Sequence, residues 1–161
     1  MSTAKLERTH RLDRWMYRGG RPNRLARIIN RVTARVFATG LKDHLVTLEV
    51  KGRRTGRVIS FPLVMADHEG ERCLVAMLGP DTNWVQNVHA TGGKAVLRHG
   101  RRETVHLTEV ASTDRAPILR RYLTLSPGAR SHIPIPPDAP LGEFEQLATE
   151  YPVFRITPAN G

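Results

Sequence analysis

The apolar positions of this chain follow a helical period first and a strand period afterwards. Leu25, Ile28, Ile29, Val32 and Val36 recur at helical spacing and form one stripe. Pro22 is well placed to open that helix, because its missing N–H would have had no partner there, and Gly40 is a plausible stop. Arg24, Arg27, Arg31 and Arg35 run beside the stripe. The period then shortens. "HLVTLEV" (His44–Val50) alternates as a half-buried strand does, and "VISFPLVMA" (Val58–Ala66) is rich in branched and aromatic residues. "DHEG" reads as a hairpin turn, with Arg72–Leu78 as the returning strand.

After "GPDTN", the segment "WVQNVHATGG" predicts a short helix ended by paired glycines. "KAVLRHG" and "RRETVHLTEV" predict a second hairpin around Gly100. Thr113–Leu125 reads as a helix, with Ile118, Leu119 and Tyr122 on one side, and "SPGARSHIPIPPDAP" as a proline-rich loop. Leu141–Thr149 and "YPVFRIT" supply a last helix and a last strand. Strands joined mostly by hairpins predict an antiparallel sheet. The expected class is α+β, mainly β: a small barrel of about six strands with helices packed outside.

Length and composition narrow this picture. The 161 residues, 40% hydrophobic and 25% charged, suit one domain with a real core. A single cysteine, Cys73, excludes an internal disulfide framework and fits a reducing compartment. No stretch approaches the roughly 20 apolar residues of a spanning helix, and no signal-peptide core follows the first charges. A cytoplasmic protein is expected.

The net charge of +10 is unevenly spread. Residues 1–42 hold eleven of the 25 Lys and Arg but two of the 15 Asp and Glu, so the remainder is nearly neutral. Residues 1–20, with "RGGRP", read as a flexible basic segment, and residues 21–161 as one domain beginning with the amphipathic helix. That helix has two readings: a packing helix with solvated arginines, or a basic surface over residues 21–39 for anionic lipid at the inner face of the cell membrane. Nucleic acid is not expected, because aromatics are only 6% of the chain and none interleaves with the basic helix.

Most catalytic signatures are missing. His44, His68, His89, His99 and His106 show no HExxH spacing and Cys73 has no partner cysteine, so no metal site is expected. There is no GxSxG, GxGxxG or GxxxxGK[ST]. Glu143 and Glu145, two apart, fall on different helix faces. No catalytic side chain is assigned.

Two segments stand out. "KGRRTGR" offers backbone N–H groups, a hydroxyl and several guanidinium groups, which suit phosphate or carboxylate. The plain alternative is a basic turn in water. Pro62 follows within the next strand and removes a ladder hydrogen bond, marking an edge or bulge where backbone can face a ligand. "MLGPDTNWVQN" runs from a strand end into a helix N-terminus, where N–H groups lack partners. Trp84 there reads either as the wall of a flat pocket or as a core anchor.

In this order and separation the two segments resemble the deazaflavin-dependent nitroreductase family, a split-barrel group related to FMN-binding flavoproteins. The resemblance rests on Gly52, Arg53, Arg54, Thr55, Gly56 and Pro62, then on Trp84, Asn87, Ala90, Gly92 and Gly93. It covers roughly residues 44–110. Ile59 stands where the family often has a second basic residue.

The resemblance implies an antiparallel split β-barrel and coenzyme F420, a deazaflavin with a phosphate and an oligoglutamate tail. The tricyclic head would lie beside Phe61, Pro62, Leu63, Met77, Leu78 and Gly79, near Asn83, Trp84 and Asn87. Arg53, Arg54 and Arg57, with Thr55 and Gly56, would meet the tail. The implied activity is hydride transfer to a small hydrophobic acceptor: a quinone, nitroaromatic or activated enone. Tyr122, His132 and Tyr151 are candidates for the acceptor side. The alternatives are FMN in the same barrel, or a non-redox barrel holding a lipid or fatty acyl ligand at the membrane surface.

Overall fold

The computed structural model describes residues 43–159. The basic segment and the helix expected over residues 21–39 lie outside them. Within the described residues six strands alternate with three α-helices. They are β1 (Leu45–Lys51), β2 (Val58–His68), β3 (Glu71–Val75), α1 (Asn83–Ala90), β4 (Lys94–His99), β5 (Arg101–Glu109), α2 (Ala116–Leu125), α3 (Leu141–Leu147) and β6 (Val153–Pro158). The strands close a barrel in the order β1-β2-β3-β6-β5-β4, and every pairing is antiparallel. The expected class and barrel are present.

Alternation within the strands builds the interior. Val46, Leu48 and Val50 of β1 turn inward with Leu74, Leu97, Val105, Leu107, Phe154 and Ile156. A second cluster lies outside the wall, where Cys73 and Val75 of β3 meet Ile118, Leu119, Tyr122 and Leu123 of α2 and Phe144 of α3. β3 is thus buried on both faces, which is why "CLVA" is a continuous apolar run rather than an alternating one. At one end Arg72 closes over Glu103 with a two-pronged ion pair, at 2.8 and 2.9 Å.

The structure shortens three expected elements, among them the last helix, which was expected to reach Thr149 and ends at Leu147. The strand over Arg72–Leu78 ends at Val75. Past it, the Ala76 N–H donates to the Pro152 carbonyl (2.9 Å) and the Gly79 N–H turns back to Ala76 (3.0 Å). The helix expected from Thr113 begins at Ala116, after a 3₁₀ turn over Ser112–Asp114. Arg115 separates the two. Its buried guanidinium donates to the Val110 carbonyl (2.8 Å), the Ala148 carbonyl (3.0 Å) and Glu109 (3.1 Å). Pro117 then falls in the first turn of α2, where its missing N–H costs no bond.

The pairing of β2 positions the site. β1 runs alongside Val58–Val64, but β3 joins β2 only over Met65–His68. Among the described residues, the first half of β2 therefore has a strand on one side alone, and Pro62 lies in that half. No helix of the described residues is long and apolar enough to cross a membrane.

Candidate functional site

The β1–β2 turn is held by its own backbone. The Gly52 N–H donates to the Arg57 carbonyl (2.7 Å) and the Gly56 N–H to the Gly52 carbonyl (2.9 Å). The Arg57 N–H donates to the Thr55 hydroxyl oxygen (3.3 Å). Gly56 has φ +69°, the left-handed region that glycine enters at least cost. A Cβ on Gly52 would stand 3.0 Å from Ile59 Cδ1 and 3.2 Å from the Arg57 carbonyl, so this position has no room for a side chain. Ile59 itself is 38% exposed.

Asn87 of α1 ties this turn to the second segment. Its side-chain oxygen accepts from the Arg53 backbone N–H (3.2 Å) and from Arg53 Nη1 (2.9 Å). Asn87 is 2% exposed, so its oxygen is a fixed post beneath the turn. Arg53 thus helps to hold the loop through its backbone N–H and one guanidinium nitrogen. Arg54 and Arg57 remain exposed, and among the described residues neither has an ion-pair partner.

The other segment is braced just as locally. The Thr82 hydroxyl donates to the Gly79 carbonyl (3.0 Å), and the Gln86 amide donates to the Pro80 carbonyl (2.9 Å). Thr82 stands at the N-cap of α1 but spends its hydroxyl on the loop, leaving the helix without a side-chain cap. Gly79 is buried at φ +91°, while Met77, Leu78 and Asn83 are half-exposed. Local pattern shows neither brace, because each bond reaches backward from the start of the helix into the loop.

Between these segments Phe61 and Leu63 pack on the barrel interior yet stay half-exposed, as does Pro62. That exposure follows because β3 pairs with β2 only from Met65 onward, leaving Phe61–Leu63 without a strand on that side among the described residues. Trp84 is only 6% exposed. Its ring meets Phe154 edge-on, with centroids 5.4 Å apart, so of its two readings the structure shows the core anchor.

Tyr122 and Tyr151 belong to the cluster that α2 and α3 build outside the wall, against which Met77 of the second segment also packs. Tyr122 is 4% exposed, and burial pushes its phenol up to about 12. The Tyr151 hydroxyl donates to the His132 carbonyl (2.9 Å), and burial raises its pKa as well. Cys73, fully buried in β3, is pushed up to about 11 by burial, so it is a packing residue rather than a nucleophile.

The arrangement pairs two free guanidinium groups on a rigid turn with a half-exposed apolar edge. That combination fits a ligand with a polyanionic end and a flat apolar head, such as a phosphorylated deazaflavin with a carboxylate tail.

Comparisons with known proteins bear on this fit. Among curated proteins none matches the sequence. Among solved structures, a protein of unknown function from Agrobacterium tumefaciens superposes with TM-score 0.53 at 14% identity, over 83% of this chain and 55% of that one. A putative pyridoxamine 5'-phosphate oxidase from Listeria innocua gives 0.50 at 8% identity, over 80% and 94%. Both likenesses concern the fold. An F420-H2 dependent reductase gives 0.45 at 21% identity, over 70% and 93%. Residues 24–132, which contain the arginine turn, the free half of β2 and α1, match the family described as F420H(2)-dependent quinone reductase. With that match over most of its length, the chain belongs to this family, and it is a reductase whose cofactor is coenzyme F420.

Proposed function

We propose that this protein reduces a small hydrophobic acceptor, with a quinone as the first choice and nitroaromatics or activated enones as further candidates. The observation that carries the reading is the Arg53–Asn87 clamp, which leaves Arg54 and Arg57 unpaired next to the half-exposed Phe61–Leu63 edge.

When bound, reduced coenzyme F420 supplies a hydride. The work of the protein is then positioning. Arg54 and Arg57 would hold the anionic tail, with Arg53, Thr55 and Gly56 keeping the turn in shape. Phe61, Pro62 and Leu63 offer an apolar surface to the flat head, and the Met77–Asn83 loop, braced by Thr82 and Gln86, flanks it. Trp84 and Asn87 act from beneath, as packing and as an anchor. No side chain has to become a nucleophile, and the inert thiol of Cys73 accords with that. The membrane reading rests on residues 21–39, which lie outside the described residues.

The test is a titration of the full chain with oxidised coenzyme F420, followed by tryptophan fluorescence, with FMN in parallel. A reduced-cofactor assay with quinone, nitroaromatic and enone acceptors follows. Saturable binding of F420 with oxidation by a quinone is expected. Binding of FMN alone, or F420 binding without turnover of any of the three acceptor classes, would overturn the proposal.

A further inference from the structure

An open groove of about 750 Å³ crosses the outer wall of the barrel over β1, β4, β5 and the end of β6. Its lining includes Lys51 and Val58, which flank the arginine turn, but none of the turn residues Gly52–Arg57 themselves. Register explains its composition. β1 and β4 pair as far as Glu49 against Val96; Lys51 and Lys94 lie two positions beyond that pair, and both line the groove. Both side chains are exposed, and among the described residues neither lysine has an ion-pair partner. Like charges lining one groove repel.

Glu49 does not relieve them. It is 7% exposed, and its carboxylate accepts from Arg98 (3.2 Å) and Arg102 (3.0 Å). His106, also on the wall, is hydrogen-bonded through Nε2 to the Gly92 carbonyl (3.0 Å) and through Nδ1 to the Thr108 hydroxyl (3.2 Å). The rest of the groove is largely apolar. Val58, 66% exposed, sits beside Lys51, and Val96, Pro158 and Ala159 continue the surface.

We propose that this groove is a second binding site, for an amphiphilic anion with a carboxylate or phosphate head and an aliphatic chain. Lys51 and Lys94 take the head, and the apolar surface of Val96, Pro158 and Ala159 takes the chain. The volume is within the usual range for a small-molecule site, roughly 300–1,000 Å³. The site stands apart from the redox reading and survives its failure.

The test is isothermal titration of the full chain with dodecanoate, dodecyl phosphate, dodecanol and inorganic phosphate. One of the two charged amphiphiles should saturate a single site, and the tighter of them identifies the head group. Dodecanol and inorganic phosphate should each bind roughly tenfold or more weakly. Lys94→Glu should weaken the charged ligand by a similar factor, and Val96→Asp should also weaken it. Preloading with coenzyme F420 should change nothing. The proposal is overturned if neither amphiphile saturates, if both variants bind as the parent does, or if inorganic phosphate matches dodecyl phosphate. Competition by F420 would also overturn it, by placing the amphiphile in the cofactor site.

Discussion

Arg53 and Asn87, 34 residues apart, are joined by two hydrogen bonds to a single oxygen: one from the Arg53 backbone N–H (3.2 Å) and one from its guanidinium (2.9 Å). The pair couples the orientation of the arginine turn to helix α1. In the proposed site this divides labour among the arginines, with Arg53 bracing the turn and Arg54 and Arg57, which have no ion-pair partner among the described residues, facing the anion.

Asn87→Ala removes the shared acceptor. The turn should loosen, with a stability loss of about 1–3 kcal/mol and weaker binding of coenzyme F420. Asn87→Asp keeps an acceptor oxygen and should restore much of the binding. Denaturant melts and fluorescence titrations on both variants check this, and equal affinities for Asn87→Ala and the parent would remove the clamp from the account.

Arg54→Ala should behave differently. The side chain is exposed and without an ion-pair partner among the described residues, so the melting temperature should hardly move. Cofactor affinity should fall roughly tenfold, and the remaining binding should depend less on salt. A lowered melting temperature with unchanged affinity would contradict this division.

Gly56→Ala forces a side chain into φ +69°. The expected cost is about 1–2 kcal/mol, read as a lower urea midpoint, with cofactor binding weakened because the turn shifts. Gly128→Ala is the control, since a Cβ there meets nothing within 4 Å.

The Arg72 guanidinium holds the Glu103 carboxyl below its usual pKa of 4.5. A carboxylate with a depressed folded pKa contributes stability that is present above the unfolded value and is lost as pH falls through the folded one. Stability should therefore decline below about pH 4.5. Glu103→Gln should flatten that part of the curve, as measured by urea midpoints between neutral and acid pH. An unchanged slope would assign the loss to other carboxylates.

Cys73 should resist thiol reagents in the native state at neutral pH, because burial keeps the thiol protonated, with its pKa pushed up to about 11. Labelling should track unfolding as urea is added. Rapid labelling of the folded protein would show that β3 opens locally.

Much of the architecture was legible in local pattern. Val46, Leu48 and Val50 alternate, and that alternation puts them inside the barrel. Glycine marks the turns, and Pro62 occupies a stretch of β2 with β1 as its one strand neighbour among the described residues. The arginine turn and the α1 segment could be named as a pair, but not their contact. That contact needs the sheet to bring α1 under the β1–β2 turn.

The amino-acid order, read locally, was enough for the strand and helix periods, the hairpins and the cluster of guanidinium groups, because each depends on residues a few positions apart. Folding in three dimensions settled the rest. β6, from the end of the chain, enters between β3 and β5. That placement buries Trp84 against Phe154. It also lets Arg115 reach the carbonyls of Ala148 and, at 3.5 Å, Tyr151, so α2 starts later than its periodicity predicts. Tyr122, offered to the acceptor side by the family resemblance alone, is part of the packing between α2 and the wall. Long-range pairing has no period along the chain. It is set by which apolar faces cover one another once the barrel closes.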